Sequence, residues 1–272
     1  MNKQQQMKEI LKETFDAVSN GYDGKALRFF PESAKNMAAL LDLQGDEQVL
    51  DVACGTGHAS LAIAPRLSRG RITAVDLSPG MLDQARKKAA SLGIRNVEFL
   101  ERDMQELGFA ECPVDIAVCA FGIFFVMDME AQLAHIASMV KPGGRVMICN
   151  FQDNYFQPMR DKLFDRIATY GVQEPPQAWK RIADEAGCRR LFETGGLTNI
   201  RVEKKNVGYY LTSADEWWDI VWNAGFRRLL ARLSPQDQER FKKEHLEEVG
   251  SLKTDKGIWL DVGVLYTVGT KE

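Results

Sequence analysis

The chain has 272 residues, 45% hydrophobic and 27% charged, a composition that suits a folded protein with a sizeable core and excludes disordered and fibrous classes. A formal net charge of -3, without long like-charge blocks, gives no field to collect phosphates and argues against nucleic acid as a partner. Residues 1–12 are polar and lack the apolar core of a secretory signal, and no stretch reaches the length of a membrane span, so a cytoplasmic location is expected.

Two helical stretches open the chain, at about 5–18 and 32–41, with Pro31 at the start of the second and a Gly21-Tyr22-Asp23-Gly24 turn between them. From residue 47 short apolar runs alternate with helical periodicity, the pattern of βαβ units and a parallel sheet. Strands are expected at 48–53, 71–76, 96–100, 116–121 and 145–150, with helices at 58–67, 79–92 and 129–140; Lys141-Pro142-Gly143-Gly144 stops the last helix. Further helices follow at 156–170 and 179–194, then a β-like run at 199–211, helices at 215–233 and 235–249, and a last strand at 259–268. The basic clusters Arg86-Lys87-Lys88 and Lys204-Lys205 read as solvated faces of a helix and a strand.

The five cysteines, Cys54, Cys112, Cys119, Cys149 and Cys188, include no C-x-x-C pair, and no histidine stands at metal-ligand spacing, so they read as reduced and no metal is expected. The chemistry lies elsewhere. The first strand runs into Cys54-Gly55-Thr56-Gly57-His58 and directly into a helix, and a Gly-x-Gly turn at the carboxyl end of a parallel strand lets a nucleoside approach the main chain. Asp76 ends the second strand about 20 positions further on, where an acidic side chain holds ribose hydroxyls. Asp103-Met104, after the third strand, offers a carboxylate for the adenine amino group and a side chain for its face.

The runs V-L-D-V-A-C-G-T-G (49–57), A-V-D-L-S-P-G-M (74–81) and V-K-P-G-G (140–144) resemble those of class I S-adenosylmethionine-dependent methyltransferases, in the branch of the ubiquinone and menaquinone C-methyltransferases. The resemblance covers roughly residues 15–151. It implies a Rossmann-like α/β fold: a seven-stranded, mostly parallel sheet with an antiparallel last strand, helices on both faces and added helices capping the substrate. It implies S-adenosylmethionine as cofactor and S-adenosylhomocysteine as product. Matching positions imply that Asp51, Gly55 and Gly57 surround the methionine and ribose, Asp76 the ribose, Asp103 and Met104 the adenine, and Phe121 and Gly122 the methionine side; Ala53, Thr56, Leu77 and Met81 are further expected cofactor-binding residues. Tyr22 resembles the tyrosine that closes over the cofactor. The chain departs from the quinone enzymes after Tyr22-Asp23, where Gly24-Lys25-Ala26-Leu27 follows, and at Cys149-Asn150-Phe151, where those enzymes carry Glu-x-Ser.

The expected organisation is N-terminal helices over the cofactor (1–45) and a methyltransferase domain (46–272) with helical insertions at about 152–196 and 212–257. A nicotinamide oxidoreductase is the competing reading, disfavoured because Gly55-Thr56-Gly57-His58-Ala59-Ser60 lacks the third glycine of G-x-G-x-x-G. A cofactor-binding protein without catalysis is a third. A sulfonium methyl needs alignment more than activation, and a base only where the acceptor must lose a proton. His58 and Tyr22 are the weak candidates for that role; His135 and His245 read as packing or solvated residues. Phe125, Trp218 and Trp222 are the expected acceptor-pocket residues, the two tryptophans on one helical face with Phe226. A small, apolar or aromatic acceptor is the expected partner; oligomeric state is left open, a homodimer included.

Overall fold

A computed structural model of the chain describes residues 3–109, 113–173 and 177–272; Cys112 lies outside the described residues. Two helices lead, α1 (Lys3–Val18) and α2 (Phe29–Leu40), and Pro31 occupies the first turn of the second rather than preceding it. The βα alternation follows as β1 (Gln48–Val52), α3 (His58–Ile63), β2 (Arg71–Asp76), α4 (Pro79–Ser91), β3 (Val97–Glu101), β4 (Val114–Ala120), α5 (Met129–Ser138) and β5 (Val140–Phe151). Strands β1 and β4 are buried over most of their length, as doubly covered strands must be. Ser78 caps α4, its hydroxyl accepting the Met81 N–H at 3.1 Å with Pro79 next in line, and Asp128 caps α5 through Ala131 N–H at 2.9 Å.

The remainder is α6 (Met159–Ala168), α7 (Glu185–Thr194), β6 (Leu197–Asn206), β7 (Tyr209–Leu211), α8 (Ala214–Asn223), α9 (Arg227–Leu230), α10 (Pro235–Gly250), β8 (Ile258–Leu260) and β9 (Gly263–Lys271). Seven strands form one sheet in the order β3-β2-β1-β4-β5-β9-β6, parallel from β3 to β5, with β9 antiparallel to both β5 and β6. The order reverses between β1 and β4. A parallel sheet of this kind places its ligand crevice there, outside the carboxyl ends of the strands.

Four expectations need correction. The run 259–268 is two strands: β8 pairs with β7 in a separate two-stranded sheet, and β9 joins the main one. The break is at Asp261, whose carbonyl accepts the Phe156 N–H at 2.7 Å while its carboxylate takes Asn154 and Asn206, so it leaves the ladder. The run 199–211 is divided likewise between β6 and β7, and 215–233 is cut between α8 and α9 at Ala224, whose backbone is extended (φ -130°, ψ -168°). Finally, 141–144 lies inside β5. Val140 faces Val114 and Arg145 faces Ile116, so the Pro-Gly-Gly segment bulges from the ladder, with Gly143 at φ +79°. Among the described residues, no helix is long and apolar enough to cross a membrane, no group of side chains could hold a metal ion, and Cys54, Cys119, Cys149 and Cys188 are free.

Candidate active site

The crevice floor is built by strand ends in unusual backbone conformations. Directly after β1, Ala53 (φ +56°), Gly55 (φ +55°) and Gly57 (φ +83°) turn the chain; after β4, Phe121 does so at φ +54°. The two ends touch: a Cβ on Gly122 would lie 2.8 Å from the Ala53 Cβ. The two glycines of the turn serve different ends. A Cβ at Gly55, which lines the crevice, would find no atom within 4 Å, whereas one at Gly57 would press on Ala85 Cβ at 3.1 Å and Phe99 at 3.2 Å. Gly55 is therefore a place of close approach from the crevice, and Gly57 admits α4 and β3 to the turn.

Asp51 lies beneath this floor, fully buried, its Oδ2 accepting the Ser60 N–H at 3.0 Å and hydroxyl at 2.6 Å, with Oδ1 unpartnered among the described residues. Burial pushes its carboxyl up to about 7. Asp76 reaches across from β2, accepting the Gly55 N–H at 2.8 Å and the Ser78 N–H at 2.9 Å, and burial raises its pKa also. Its carboxylate thus fixes the glycine turn while lining the crevice. Asp103 lines it too, with Oδ1 on the Gln105 N–H at 2.9 Å and Oδ2 2.7 Å from Lys8 Nζ.

Lys8 belongs to α1, which lies across the crevice mouth. Met7, Leu11 and Phe15 line it at helical spacing, while a row of polar contacts ties the helix down. Lys12 donates to the Leu77 carbonyl and to Glu101, each at 3.2 Å. Asp16 accepts the Ser78 hydroxyl at 2.5 Å and the Gly80 N–H at 3.0 Å, at the N-terminus of α4 where a carboxylate is favoured. The crevice measures about 970 Å³ including its mouth.

A second, larger cavity of about 1730 Å³, again including its mouth, adjoins the first over a shared wall of Phe15, Tyr22, Phe121 and Phe125. Its far side is aromatic: Phe30, Phe151, Tyr155, Phe164, Trp179 and Phe226 all line it. Tyr22 stacks on Phe30 (4.8 Å, 16°), and burial raises its phenol well above the ordinary range, so the hydroxyl stays protonated at neutral pH and can donate a hydrogen bond but not act as a base.

Of the residues singled out from sequence, Tyr22, Ala53, Gly55, Asp76, Leu77, Met81, Asp103, Met104 and Phe121 come together around the first crevice, and Phe125 lines both. Asp51, Thr56 and Gly57 stand behind the lining. Thr56 is 1% exposed, its hydroxyl donating to Asp23 at 2.7 Å and accepting from Lys88 at 3.0 Å. His58 is also elsewhere: its Nε2 lies 2.8 Å from Asp23 and it lines neither cavity. Burial would push the Asp23 carboxyl up, but hydrogen bonds from His58, Thr56 and Lys88 hold it down to about 2, so this cluster clamps the Tyr22-Asp23 turn onto the glycine loop. Geometry thus removes His58 as a candidate base. His135 Nε2 accepts the Leu107 N–H at 3.3 Å, and the buried His245 accepts the Trp217 indole N–H at 2.8 Å.

Trp218 and Trp222 line neither cavity. They stack on each other at 6.1 Å, Trp218 against Phe241 of α10 and Trp222 under Arg227 at 4.5 Å. Phe226, from the same stripe, does line the second cavity because α8 stops at Asn223 and the chain turns before α9. Sequence reasoning missed the lining residues of α1, whose Met7, Leu11 and Phe15 spacing was the available signal, and the polar pair Gln177 and Arg228, for which the sequence carried none.

Comparison with known proteins agrees with this geometry. Residues 49–144 match the methyltransferase domain family. The aklanonic acid methyltransferase of Streptomyces sp. (strain C5) is 27% identical over 187 residues, 68% of this chain and 84% of that one. A demethylmenaquinone methyltransferase of Bacillus cereus is 27% identical over 226 residues, 75% of this chain and 94% of its own. The magnesium protoporphyrin IX methyltransferase of Synechocystis, solved with S-adenosylhomocysteine, shares the fold at a TM-score of 0.60 and 16% identity, covering 97% of this chain and 100% of that one. The YcgJ protein of Bacillus subtilis gives 0.60 and 18%, covering 89% and 98%. Residues 49–144 form a methyltransferase domain, and the chain resembles methyltransferases over 68–75% of its length.

Proposed function

We propose that this enzyme moves a methyl group from S-adenosylmethionine to a small apolar or aromatic molecule by in-line displacement. The observation that carries the reading is the shared wall of Phe15, Tyr22, Phe121 and Phe125, which sets a crevice that holds the carboxylates of Asp76 and Asp103 against an aromatic cavity whose described lining has none. In this reading Asp76 takes the ribose, Asp103 and Met104 the adenine, and Gly55 gives the sugar and methionine portion access to the main chain. The open space above Gly55 and the remaining lone pairs on Asp76 fit such a ligand. Residues 1–45 supply the cover, and the segments at about 152–196 and 212–257 build the acceptor side of the domain that spans 46–272.

The cofactor, when bound, supplies an activated methyl group on sulfonium. The chain's own contribution is to hold an acceptor in line with it, exclude water with the aromatic wall, and donate a hydrogen bond from Tyr22. No base is assigned, since none of the three histidines lines either cavity. An acceptor already ionised, or one with a free lone pair, needs none. A concave aromatic lining suits a small molecule better than a polynucleotide, whose backbone calls for a cationic track.

Calorimetric titration with S-adenosylhomocysteine and NAD, followed by transfer of labelled methyl to polycyclic phenols, hydroxyquinones and aromatic acids, tests the reading. Micromolar binding of the sulfur ligand alone and a labelled product are expected. Binding without any product across the panel would favour the non-catalytic alternative.

A further inference from the structure

The aromatic cavity contains one charged side chain among the described residues that line it, Arg228 of α9, and no carboxylate. Arg228 is half-buried and makes no hydrogen bond or ion pair with any described residue. Its neighbours behave otherwise. Arg227 donates to the Ala17 carbonyl at 3.1 Å, Arg232 to the Gln173 carbonyl at 3.3 Å, and Arg160 to the Asp153 carbonyl at 2.8 Å and to Asp161. On the same cavity wall, Gln177 Oε1 is buried and has no donor among the described residues. A cation and an acceptor with no hydrogen-bond partner among the described residues, in an apolar cavity where the structure records Tyr155 as the one group acting on the guanidinium, are both costly, and each cost is relieved by a ligand group of the complementary kind.

Resting on the function proposed above, we propose that the acceptor is an anionic aromatic compound whose acidic group pairs with Arg228 and whose hydroxyl or amine donates to Gln177 Oε1. Burial pulls the Arg228 guanidinium below its ordinary value, the direction expected of a cation without a counter-ion. A planar guanidinium binds carboxylate or an acidic enol in two-point fashion and also stacks on aromatic faces, which suits this lining. A neutral analogue would leave Arg228 desolvated and unpaired, so the site rejects it more strongly than a purely apolar pocket would.

The test uses the full chain saturated with S-adenosylhomocysteine, with 1-hydroxy-2-naphthoate and neutral 1-naphthol as probes titrated by calorimetry. The expected result is at least about 10-fold tighter binding of the naphthoate, a ratio that Arg228→Met brings near one by weakening the naphthoate and tightening 1-naphthol while the S-adenosylhomocysteine affinity holds. Arg228→Lys keeps part of the ratio, and Gln177→Leu weakens the hydroxynaphthoate but not 2-naphthoate. Equal binding of both probes to the wild type, or a ratio that Arg228→Met leaves untouched, overturns the inference and leaves the proposed function standing. Binding of neither probe, with S-adenosylhomocysteine bound normally, removes the aromatic-acceptor reading and this inference with it. If Arg228→Met does not fold, the wild-type ratio and its decline with added salt decide the matter.

Discussion

The two halves of the active-site cleft are made in different ways. The nucleoside half is a set of strand ends: Ala53 and Gly55 after β1, Asp76 at the end of β2, Asp103 and Met104 after β3, Phe121 after β4. Its polar groups are nearly all engaged, Asp76 on two amides and Asp103 on an amide and Lys8. The acceptor half is assembled from α2, the ends of β4 and β5, α6, the segment at 177–179 and the stretch from the end of α8 into α9, and two of its polar groups, Arg228 and Gln177 Oε1, have no hydrogen-bond partner among the described residues. The difference teaches that, in the function proposed, cofactor recognition is a property of short local segments on a rigid sheet, whereas acceptor recognition depends on how distant helices pack. Mutations should therefore separate the halves cleanly.

The largest effect is expected at Asp76, because one carboxylate both anchors the glycine turn and faces the ligand. Asp76→Ala strands the Gly55 and Ser78 amides and should weaken S-adenosylhomocysteine by about 100-fold, roughly 3 kcal/mol. Calorimetry measures this, with an aromatic probe in the same cell. Loss of probe affinity by the same factor would break the separation of the halves.

The second test divides the glycine turn itself. Gly57→Ala meets Ala85 and Phe99 at φ +83° and should cost roughly 2 kcal/mol, a fall in Tm of about 5 °C. Gly55→Ala has space for its Cβ and should lose less Tm but more cofactor affinity, since the methyl enters the crevice. The reverse pattern, read from melting curves and titrations of both variants, would place the cofactor away from Gly55.

Across the wall, Phe226→Ala should raise KM for an aromatic acceptor about 10-fold with cofactor affinity unchanged, from the loss of a ring's apolar contact. Trp222→Ala should change neither constant, because its ring packs with Trp218 and Arg227 outside the cavity. Steady-state kinetics on the pair sharpens the assignment: equal effects would mean that the whole stripe, not Phe226 alone, borders the acceptor.

This contrast also explains what could be read before the fold was known. Gly55, Asp76 and Asp103 each sit within a few residues of a strand end whose position follows from apolar runs, so chain order sufficed to bring them together. Trp218 and Trp222 share a helical face with Phe226, and periodicity alone cannot say which side of that face meets α10 and which the cavity. The break after Asn223 decides it. Likewise 259–268 has one uninterrupted β pattern, and only the side-chain partners of Asp261 divide it between two sheets. Arg228 and Gln177 stand about 50 residues apart, and nothing in the sequence around either marks it as lacking a partner.

Asp51 gives the comparison a pH axis. Its carboxyl is raised from 3.8 to about 7, so the folded protein holds a proton that the unfolded chain releases near 4. Its contribution to stability is therefore fully present below about 4 and lost as pH rises through about 7. Asp51→Asn should remove that loss, and between pH 5 and 8 its Tm should decline less than the wild type's by a few degrees. Parallel melting curves would show Asp51 to be ionised at pH 5 and hydrogen-bonded without strain.

The smallest effect belongs to the cover. The Lys8 to Asp103 pair, at 2.7 Å with side chains 28% and 13% exposed, is an ion pair near solvent, which stabilises by only about 0.2–1 kcal/mol. Lys8→Met should leave Tm unchanged and keep the apolar packing of α1. If α1 must part from β3 for the nucleoside to leave, the small energy appears in a rate: dissociation of S-adenosylhomocysteine should quicken roughly 2–5-fold, and added salt should quicken it in the wild type but not in the variant. Asp103 retains lone pairs beyond those used by Lys8 and Gln105, so removing Lys8 need not remove an adenine contact, and the association rate should hold. Stopped-flow measurement of both rates separates a latch from a ligand. A change confined to association would make Lys8 an electrostatic guide for the cofactor, and equal rates in variant and wild type would make α1 a fixed wall of the crevice.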